Sequence, residues 1–319
     1  MVNKKYINYK SIFLAELNKL QDLKGPSYLY DPIKYIIKSD GKRLRPFIVQ
    51  FLGDLFNNNI KDTMNGAMGV ELLHNFTLVH DDIMDGDELR HNVATIHNKW
   101  DNAHAVLSGD GLGALGPIYI GKIKKNTLEI LIRYNEVILE ICEGQAYDME
   151  FEERNATVDE YILMSEKKTG SLFELCFEIP ALISNDFLKY KKSLKRLGRI
   201  LGIIFQIQDD ILEMSTSSES MGKSTSSDIE RNKKTILSSM AIDQDKEGWN
   251  KFKNNIEHKP IDRKKVMLKE YYQNNGIIEK CDDLLLKYEN KCKKIISSFE
   301  KEVEDGLMLL LRIILKREK

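Results

Sequence analysis

The residues best suited to chemistry in this sequence are three aspartates, Asp81, Asp82 and Asp85, in the segment HDDIMDGDELR. The apolar spacing upstream predicts that they end a long helix, which Gly86 would stop as a C-terminal cap. Neighbouring carboxylates repel one another, and the partial negative charge of a helix C-terminus repels them as well. Both effects destabilise this segment unless a cation is bound. Carboxylate oxygens suit Mg²⁺, so the segment indicates a magnesium site, with a solvated acidic helix end as the alternative.

A second acidic segment, FQIQDDILE, lies 128 positions further along the chain. Its acidic residues are Asp209, Asp210 and Glu213, and the helical spacing that leads to Asp209 repeats the spacing that leads to Asp81. The surrounding sequence is apolar, so these carboxylates would be costly to bury unless a cation compensates them. Two such helix ends favour bound metal over solvated surface.

Several basic residues could bind an anion beside these acids. The segment GKRLRP places Lys42, Arg43 and Arg45 within four positions. Arginine can bind phosphate oxygens bidentately and lysine binds them as a point charge, so the segment is a candidate diphosphate clamp, with a solvated basic patch as the alternative. Further cations could surround a phosphorylated substrate held between the acidic segments: Arg90, Lys168, Lys223 and Lys233.

The elements that would position these residues are helices, because apolar residues recur at helical spacing and no stretch shows sustained strand alternation. Pro117 and Pro180 fall inside predicted helices and should kink or interrupt them. The serine-rich segment 215–233 is predicted to be a mobile surface loop. The predicted helices cover residues 7–24, 28–38, 46–56, 61–85, 102–121, 127–153, 158–184 and 187–214, and more follow residue 234.

Composition predicts one all-α domain over residues 1–319. The chain has 6 prolines and 19 glycines without a linker-like run, and its 42% hydrophobic residues can fill a sizeable core. Its net charge of −1 gives no overall field that would attract nucleic acid.

The sequence also predicts a cytoplasmic protein without stable membrane insertion. Its first residues lack the apolar core of a signal peptide, and no apolar run approaches the roughly 20 residues that span a bilayer. The four cysteines, Cys142, Cys176, Cys281 and Cys292, have no metal-binding spacing and are predicted to be reduced and mostly buried.

Six segments of the chain resemble the signature segments of the trans-isoprenyl diphosphate synthases, which include the farnesyl and geranylgeranyl diphosphate synthases. The resemblance extends from about residue 38 to about residue 240. The six segments are GKRLRP, HDDIMD with a following arginine, EGQAYDMEFE, KTGSLF, FQIQDDILE and MGKSTSSDIERNKKT.

This resemblance implies a helical bundle of the isoprenoid synthase type around a deep central cavity, acting as a homodimer. It implies three Mg²⁺ ions, held by Asp81, Asp85 and Asp209, with support through water from Asp82, Asp210 and Glu213. The implied ligands of an allylic diphosphate are Arg90, Lys168, Lys223 and Lys233. Isopentenyl diphosphate would be bound by Lys42, Arg45 and His74.

The implied reaction begins with ionisation of the allylic C–O bond, and isopentenyl diphosphate then attacks the carbocation. The dipoles of Thr169 and Gln206 would stabilise that cation. In the family a second arginine usually follows the position of Arg90, whereas this chain has His91. Because histidine titrates near neutrality, we expect the affinity for isopentenyl diphosphate to fall between mildly acidic and neutral pH. Asn92 and Ala94 also replace the usual Gly and Pro.

Phe76 is the candidate for setting product length. It precedes Asp81 by five residues, about 7.5 Å along a helix axis, and its neighbour Thr77 is small. This pattern resembles synthases that stop at geranylgeranyl diphosphate, so that product is predicted, with farnesyl diphosphate as the alternative. An ordinary core position for Phe76 also remains open.

Two other functions are compatible with parts of this pattern. A class I terpene cyclase also uses an acidic motif on a helical bundle, but it leaves Lys42 and Arg45 unexplained. A non-catalytic partner subunit of a heteromeric synthase is the other alternative, although such subunits typically lose acidic motifs and this chain keeps both.

Overall fold

The computed structural model describes residues 2–215 and 233–316, which form helices joined by short connections. The helices of the first half are α1 (Val2–Leu17), α2 (Ser27–Lys38), α3 (Leu44–Leu55), α4 (Ile60–Asp85), α5 (Ile96–Lys99), α6 (Asn102–Ile120) and α7 (Thr127–Glu153). Those of the second half are α8 (Val158–Ser165), α9 (Ser171–Ile183), α10 (Lys191–Ser215), α11 (Ile236–Gln244), α12 (Lys246–Ile256), α13 (Ile261–Asn274), α14 (Ile277–Ile296) and α15 (Lys301–Leu315).

Shorter elements join these helices. Single 3-10 segments cover Asn18–Asp22 and Leu188–Tyr190, and a π-helical turn, Glu166–Gly170, lies between α8 and α9. Two short antiparallel strands, β1 (Leu89–Arg90) and β2 (Val93–Ala94), form a hairpin after α4.

Helix α4 has the ends that its sequence predicts. The side chain of Asn59 accepts hydrogen bonds from the backbone of Lys61 and Asp62 at its start. Gly86 takes the left-handed conformation, with φ 59°, at its end. Because glycine adopts that conformation without a steric penalty, the helix stops directly after Asp85.

Most of the predicted helices are confirmed with small shifts at their ends, but the helix predicted over 158–184 is divided by the π-helical turn. The prediction that the prolines could interrupt helices is wrong. Helix α6 continues through Pro117 to Ile120, and α9 continues through Pro180 to Ile183. Each proline lies in the last turn of its helix, where little helix remains to be lost. A mobile loop was predicted over 215–233. Residues 216–232 of this segment lie outside the described part of the chain.

The core sits around α9, whose 13 residues are all buried. Helices α3, α4, α7 and α10 pack against it, and α6 packs against α4, in one large hydrophobic cluster. A second cluster contains Trp249 and Tyr272 and joins α8 and α10 to α11–α14. The site elements α4, α7 and α10 are thereby held by a central helix that has no solvent-exposed face.

Ion pairs also hold α9 against its neighbours. Arg133 of α7 donates to Glu174 at 2.6 Å and to Glu178 at 3.0 Å, and both glutamates are only 1% exposed. Arg199 of α10 pairs with Glu174 from the other side. Because a buried charge without a partner is costly, these pairs fix how α7 and α10 pack on α9.

Two further expectations concern thiols and membranes. Cys176, Cys281 and Cys292 are buried as predicted, whereas Cys142 is exposed on α7. Within the described ranges, the helices are all too short or too polar to cross a bilayer.

Candidate active site

The C-terminal turn of α4 and the hairpin after it form one acidic and basic cluster. Nε of Arg90 donates to Oδ1 of Asp82 at 2.7 Å, and its NH2 group donates to Asp87 at 3.1 Å. Arg90 and both aspartates are buried. The hairpin therefore folds Arg90 back onto the helix end, where it compensates Asp82.

Asp81 is half-buried on the same turn. Burial raises the pKa of Asp81, the Lys168 ammonium lowers it, and the neighbouring Asp85 carboxylate raises it again. The net effect is an increase in the pKa, so the protein's own cations compensate this carboxylate incompletely. A further cation bound at this position would stabilise the charged form of Asp81.

Lys233 connects α4 to α7. Its Nζ lies 2.8 Å from Oδ1 of Asp85 and 3.3 Å from Oδ2 of Asp148. Lys168 donates to the same Asp148 oxygen at 2.6 Å. Burial favours the neutral form, but the two lysines lower the pKa of Asp148 to about 2. Asp148 therefore stays charged and orients both lysines.

The contacts continue from Lys168 to α10. Thr169, which follows it in the π-helical turn, donates through its hydroxyl to Oε1 of Gln206 at 2.9 Å. Nε2 of Gln206 donates to Oδ1 of Asp210 at 3.0 Å. These side-chain contacts, together with the backbone link between Lys168 and Thr169, join the first acidic helix end to the second.

Asp210 is buried among protein donors. Its Oδ2 accepts from the Tyr161 hydroxyl at 2.6 Å and from the backbone N–H of Ile236 at 2.9 Å. Burial raises the pKa of Asp210 to about 7 even though these donors lower it. The predicted support of a metal through water stays a prediction for Asp82, Asp210 and Glu213, and the first two already have protein donors.

Arg45 and His74 meet beside this line of contacts. NH1 of Arg45 lies 3.1 Å from Nε2 of His74, and the guanidinium lies over the Phe173 and Phe205 rings at 5.0 and 5.6 Å. Burial and then the charges of Arg45 and Arg43 hold the pKa of His74 well below its usual range. His74 is therefore neutral and can accept a hydrogen bond from Arg45.

The segment before α3 is fixed by contacts of Tyr6 and Arg43. The Tyr6 hydroxyl of α1 donates to the backbone carbonyl of Lys42. Arg43 has a left-handed φ of 48°, pairs with the buried Glu71, and donates to the carbonyl of Ile37 at 3.0 Å. Exposed Lys42 and half-buried Arg45 are consequently presented on a backbone that cannot move freely.

The tip of the hairpin contains His91 and Asn92, two of the positions at which this chain differs from the usual family sequence. His91 and Asn92 have φ values of 51° and 63° and form the two-residue turn between β1 and β2. Asparagine tolerates that conformation better than most residues do, which explains how the hairpin closes without glycine. His91 is exposed, and its charge is among those that lower the pKa of His74.

Phe76 lies on the face of α4 that packs against α6. Its ring makes an edge contact with His80, with centroids 4.6 Å apart, and remains half-buried. Thr77 is also half-buried and donates to the carbonyl of His74 at 2.8 Å. Both residues thus lie below the acidic turn of α4.

The structure brings most of the predicted site residues into one region. Asp209 and Glu213 are half-buried on α10 beside Asp210, whereas Lys223 lies outside the described residues. Sequence reasoning missed Asp148 and Tyr161. Asp148 was available as a signal, because it is the only aspartate of the EGQAYDMEFE segment.

The donor chemistry of the site fits Mg²⁺. Among residues 2–215 and 233–316, no group of three or more His, Cys, Asp or Glu side chains could hold a metal ion by itself. Mg²⁺ is usually held by one or two carboxylates together with substrate phosphates and water, so it does not require such a group. The incompletely compensated Asp81 and the nearby Asp85 provide suitable oxygens.

Comparisons with known proteins agree with this geometry. The family model described as polyprenyl synthetase matches residues 26–274. The geranylgeranyl diphosphate synthase of Methanosarcina mazei is 36% identical over 227 residues, which is 70% of each chain. The short chain isoprenyl diphosphate synthase of Methanocaldococcus jannaschii is 38% identical over 68% of each chain. A crystal structure of a geranylgeranyl pyrophosphate synthase superposes with a TM-score of 0.89 and 31% identity, over 98% of this chain and 99% of the other.

Proposed function

Since the chain belongs to the polyprenyl synthetase family and is a prenyltransferase, we propose that it condenses isopentenyl diphosphate with allylic diphosphates to give geranylgeranyl diphosphate. The observation that carries this proposal is the line of contacts from Asp85 through Lys233, Asp148 and Lys168 to α10. It gathers in one place the acids and lysines that would bind a diphosphate and its metal ions. The names of several relatives support the product.

Asp81, Asp85 and Asp209 are the proposed ligands of Mg²⁺, with three ions per site. When bound, these ions would stabilise negative charge on the leaving diphosphate. The chain contributes Lys168 and Lys233, whose ammonium groups already converge on Asp148. A diphosphate oxygen can take the place of a carboxylate oxygen as their acceptor. Arg90 and Lys223 complete the proposed set of cations for the allylic substrate.

The polar groups of Thr169 and Gln206 are proposed to face the allylic carbon. As its C–O bond breaks, positive charge develops on that carbon, and the Thr169 hydroxyl and Gln206 carbonyl oxygens stabilise it as fixed dipoles. The double bond of isopentenyl diphosphate attacks the cation, and the departing diphosphate takes the proton that is released. Phe173 and Phe205, which pack 5.0 Å apart, help exclude water from this reaction.

Lys42, Arg45 and His74 are proposed to bind isopentenyl diphosphate. Neutral His74 accepts from Arg45 and orients the guanidinium, while the two aromatic rings hold its plane. Arg45 can thus bind phosphate oxygens with its remaining N–H groups.

A single assay tests the function. Purified protein is incubated with Mg²⁺, labelled isopentenyl diphosphate and each of the C5, C10 and C15 allylic diphosphates, and we expect a labelled, solvent-extractable C20 prenyl diphosphate. Absence of incorporation with every primer would contradict the proposal and favour a non-catalytic partner subunit. Conversion of an allylic diphosphate to a cyclic hydrocarbon without isopentenyl diphosphate would indicate a terpene cyclase.

The pH dependence of isopentenyl diphosphate binding tests the role of His91. Because the pKa of His74 is well below its usual range, that residue stays neutral, and the test therefore concerns the exposed His91. We expect the KM for isopentenyl diphosphate to rise a few fold between about pH 6 and about pH 8. His91→Arg should flatten this profile, and an equally steep profile in the variant would contradict the role.

Replacing Phe76 tests the control of product length. Phe76→Ala removes a half-buried ring below the acidic turn, so we expect products longer than C20 by chromatography. Phe51→Ala, at a buried ring of α3, serves as the control for general loss of packing. An unchanged product distribution in Phe76→Ala would exclude this role.

We also propose that the enzyme is a homodimer that pairs through α7. One face of α7 carries seven exposed residues spaced alternately four and three positions apart, which is the spacing of contact residues in paired helices. These are residues 128, 132, 135, 139, 142, 146 and 149. Leu128 is 72% exposed and Leu139 is 62% exposed. Exposed apolar stripes of this kind typically mark protein contacts. Further exposed apolar residues, Val106, Leu107 and Ile118, lie on α6.

A charge on this stripe should separate the subunits. In light-scattering measurements we expect a wild-type mass of about twice 36.9 kDa, and a monomer for Leu139→Glu. Leu286→Glu introduces the same change at a 54% exposed leucine of α14 and should remain dimeric. Dimeric Leu139→Glu would place the interface elsewhere.

A further inference from the structure

Asp210 joins three helices at one carboxylate. Its Oδ2 receives the Tyr161 hydroxyl of α8 and the first backbone N–H of α11, at Ile236, while its Oδ1 receives Gln206 of its own helix. Tyr161 is 1% exposed and Asp210 is 6% exposed, so water competes little for these bonds. A buried carboxylate depends on such donors, and each one restrains the element that supplies it.

One of these donors lies close in sequence to a substrate-binding cation. Ile236 follows Lys233 by three residues, and Thr235 between them begins α11 with a capping box. The backbone from Lys233 to Ile236 is therefore fixed at its far end by Asp210. At its near end, the Lys233 ammonium reaches Asp85 and Asp148.

We infer that Tyr161 and Asp210 act as a pin that holds Lys233 at the allylic diphosphate. In this arrangement Tyr161 is a positioning residue, because it contacts Asp210 and acts on the substrate only through the backbone that carries Lys233. The inference deepens the proposed function and rests on it for the identity of the ligand.

The pin gives the two aspartates of the second acidic segment different tasks. Asp209 remains the proposed metal ligand, while Asp210 uses its oxygens to fasten α8 and α11 to α10. This task replaces the support through water that the sequence resemblance implied for Asp210. Tyr161 is part of the same unit, because its hydroxyl donates to Asp210.

The first experiment measures the pin without relying on catalysis. Tyr161→Phe keeps the ring and removes the hydroxyl, so hydrogen exchange of the Ile236 amide should become at least about fivefold faster. Tyr134→Phe is the matched control, because Tyr134 is equally buried and donates to the carbonyl of Gly69 at 3.0 Å on α4. Unchanged exchange at Ile236 in Tyr161→Phe would overturn the inference, even if wild-type protein transferred no prenyl group.

The second experiment follows the effect to the substrate. In Tyr161→Phe we expect the KM for the allylic diphosphate to rise about fivefold to tenfold and the KM for isopentenyl diphosphate to change less than twofold. In a Lys233→Ala background the same substitution should add nothing to the allylic KM. A full additional rise in that background would show that Tyr161 acts by another route.

A comparison of the two aspartates completes the test. Asp210→Asn retains an oxygen that can accept from Tyr161 and Ile236, so the Mg²⁺ concentration for half-maximal activity should change less than about threefold. Asp209→Asn should raise that concentration more than about tenfold. Equal changes of this Mg²⁺ concentration in the two variants would indicate that Asp210 supports the metal, and would contradict the pin.

Discussion

Asp81→Asn is expected to lower kcat about 100- to 1,000-fold while the metal-free protein becomes slightly more stable. The loss of activity follows from the proposed role of Asp81 as a metal ligand. Asparagine keeps the shape of the side chain but removes its negative charge, and the site would then bind less Mg²⁺ around the leaving diphosphate. Charge stabilisation of this kind is usually among the largest contributions to catalysis.

The gain in stability follows from the pKa of the same carboxyl. Burial, with the nearby Asp85, raises the pKa of Asp81 in the folded protein above its usual value. The neutral form is therefore favoured by folding, and this contribution is lost as the pH rises through the folded-state pKa. At neutral pH the charged Asp81 lowers the free energy of unfolding, and the neutral asparagine removes this cost. We therefore expect the Tm of Asp81→Asn to exceed that of the wild type by about 2 °C in EDTA. The gain should shrink towards pH 4.

Two measurements on the same protein samples check this prediction. Thermal melts in EDTA at neutral and acidic pH give the stability change, and steady-state kinetics in Mg²⁺ give the change in kcat. Asp283→Asn, at an exposed aspartate of α14, is the control and should alter neither. If Asp81→Asn lost stability at neutral pH, its charge would have to be compensated by the protein alone.

Local sequence patterns were sufficient to predict the two acidic helix ends. Helix α4 was expected over 61–85 and extends from Ile60 to Asp85, because apolar spacing and a terminal glycine are both local signals. The partners of the charged residues were not predictable in this way. Lys233 pairs with Asp148, 85 positions away, and only the tertiary fold brings them together.

The two-stranded hairpin and the pairing of Arg90 were also missed. Two-residue strands are too short to show alternation, so local patterns do not predict strands in residues 86–95. Within it, Arg90 was expected to bind substrate, whereas the structure shows that it also compensates Asp82 and Asp87. The sequence was sufficient to predict that a cation follows the acidic helix end. Only the fold shows that Arg90 pairs with Asp82 and Asp87.

The π-helical turn was the other feature that periodicity did not predict. A continuous helix was expected over 158–184, but the turn Glu166–Gly170 divides it into α8 and α9. A π-turn carries one residue more than an α-helical turn, so it changes the direction of every side chain that follows. Here it contains Lys168 and Thr169, so it sets the direction of both side chains.

Gly144→Ala should therefore have a large effect on catalysis. Helix α7 approaches the π-turn so closely that a Cβ at Gly144 would lie 2.6 Å from Cα of Lys168. From the other side, a Cβ at Gly202 of α10 would lie 2.5 Å from Cα of Gly170. Since backbone atoms cannot yield as a flexible side chain can, alanine at either position must displace the turn. A displacement of about 1 Å can cost about 100-fold in rate.

We expect kcat to fall about 100-fold in Gly144→Ala and in Gly202→Ala, with helix content in circular dichroism unchanged. Gly121→Ala is the matched control, because a Cβ there would lie 3.3 Å from the nearest atom, the Pro117 carbonyl oxygen, at the exposed end of α6. The KM for isopentenyl diphosphate should change little in all three, since Arg45 and His74 are carried by α3 and α4 and not by the turn. If both helix variants folded and kept kcat within fivefold of wild type, the positions of Lys168 and Thr169 would not depend on these two close approaches.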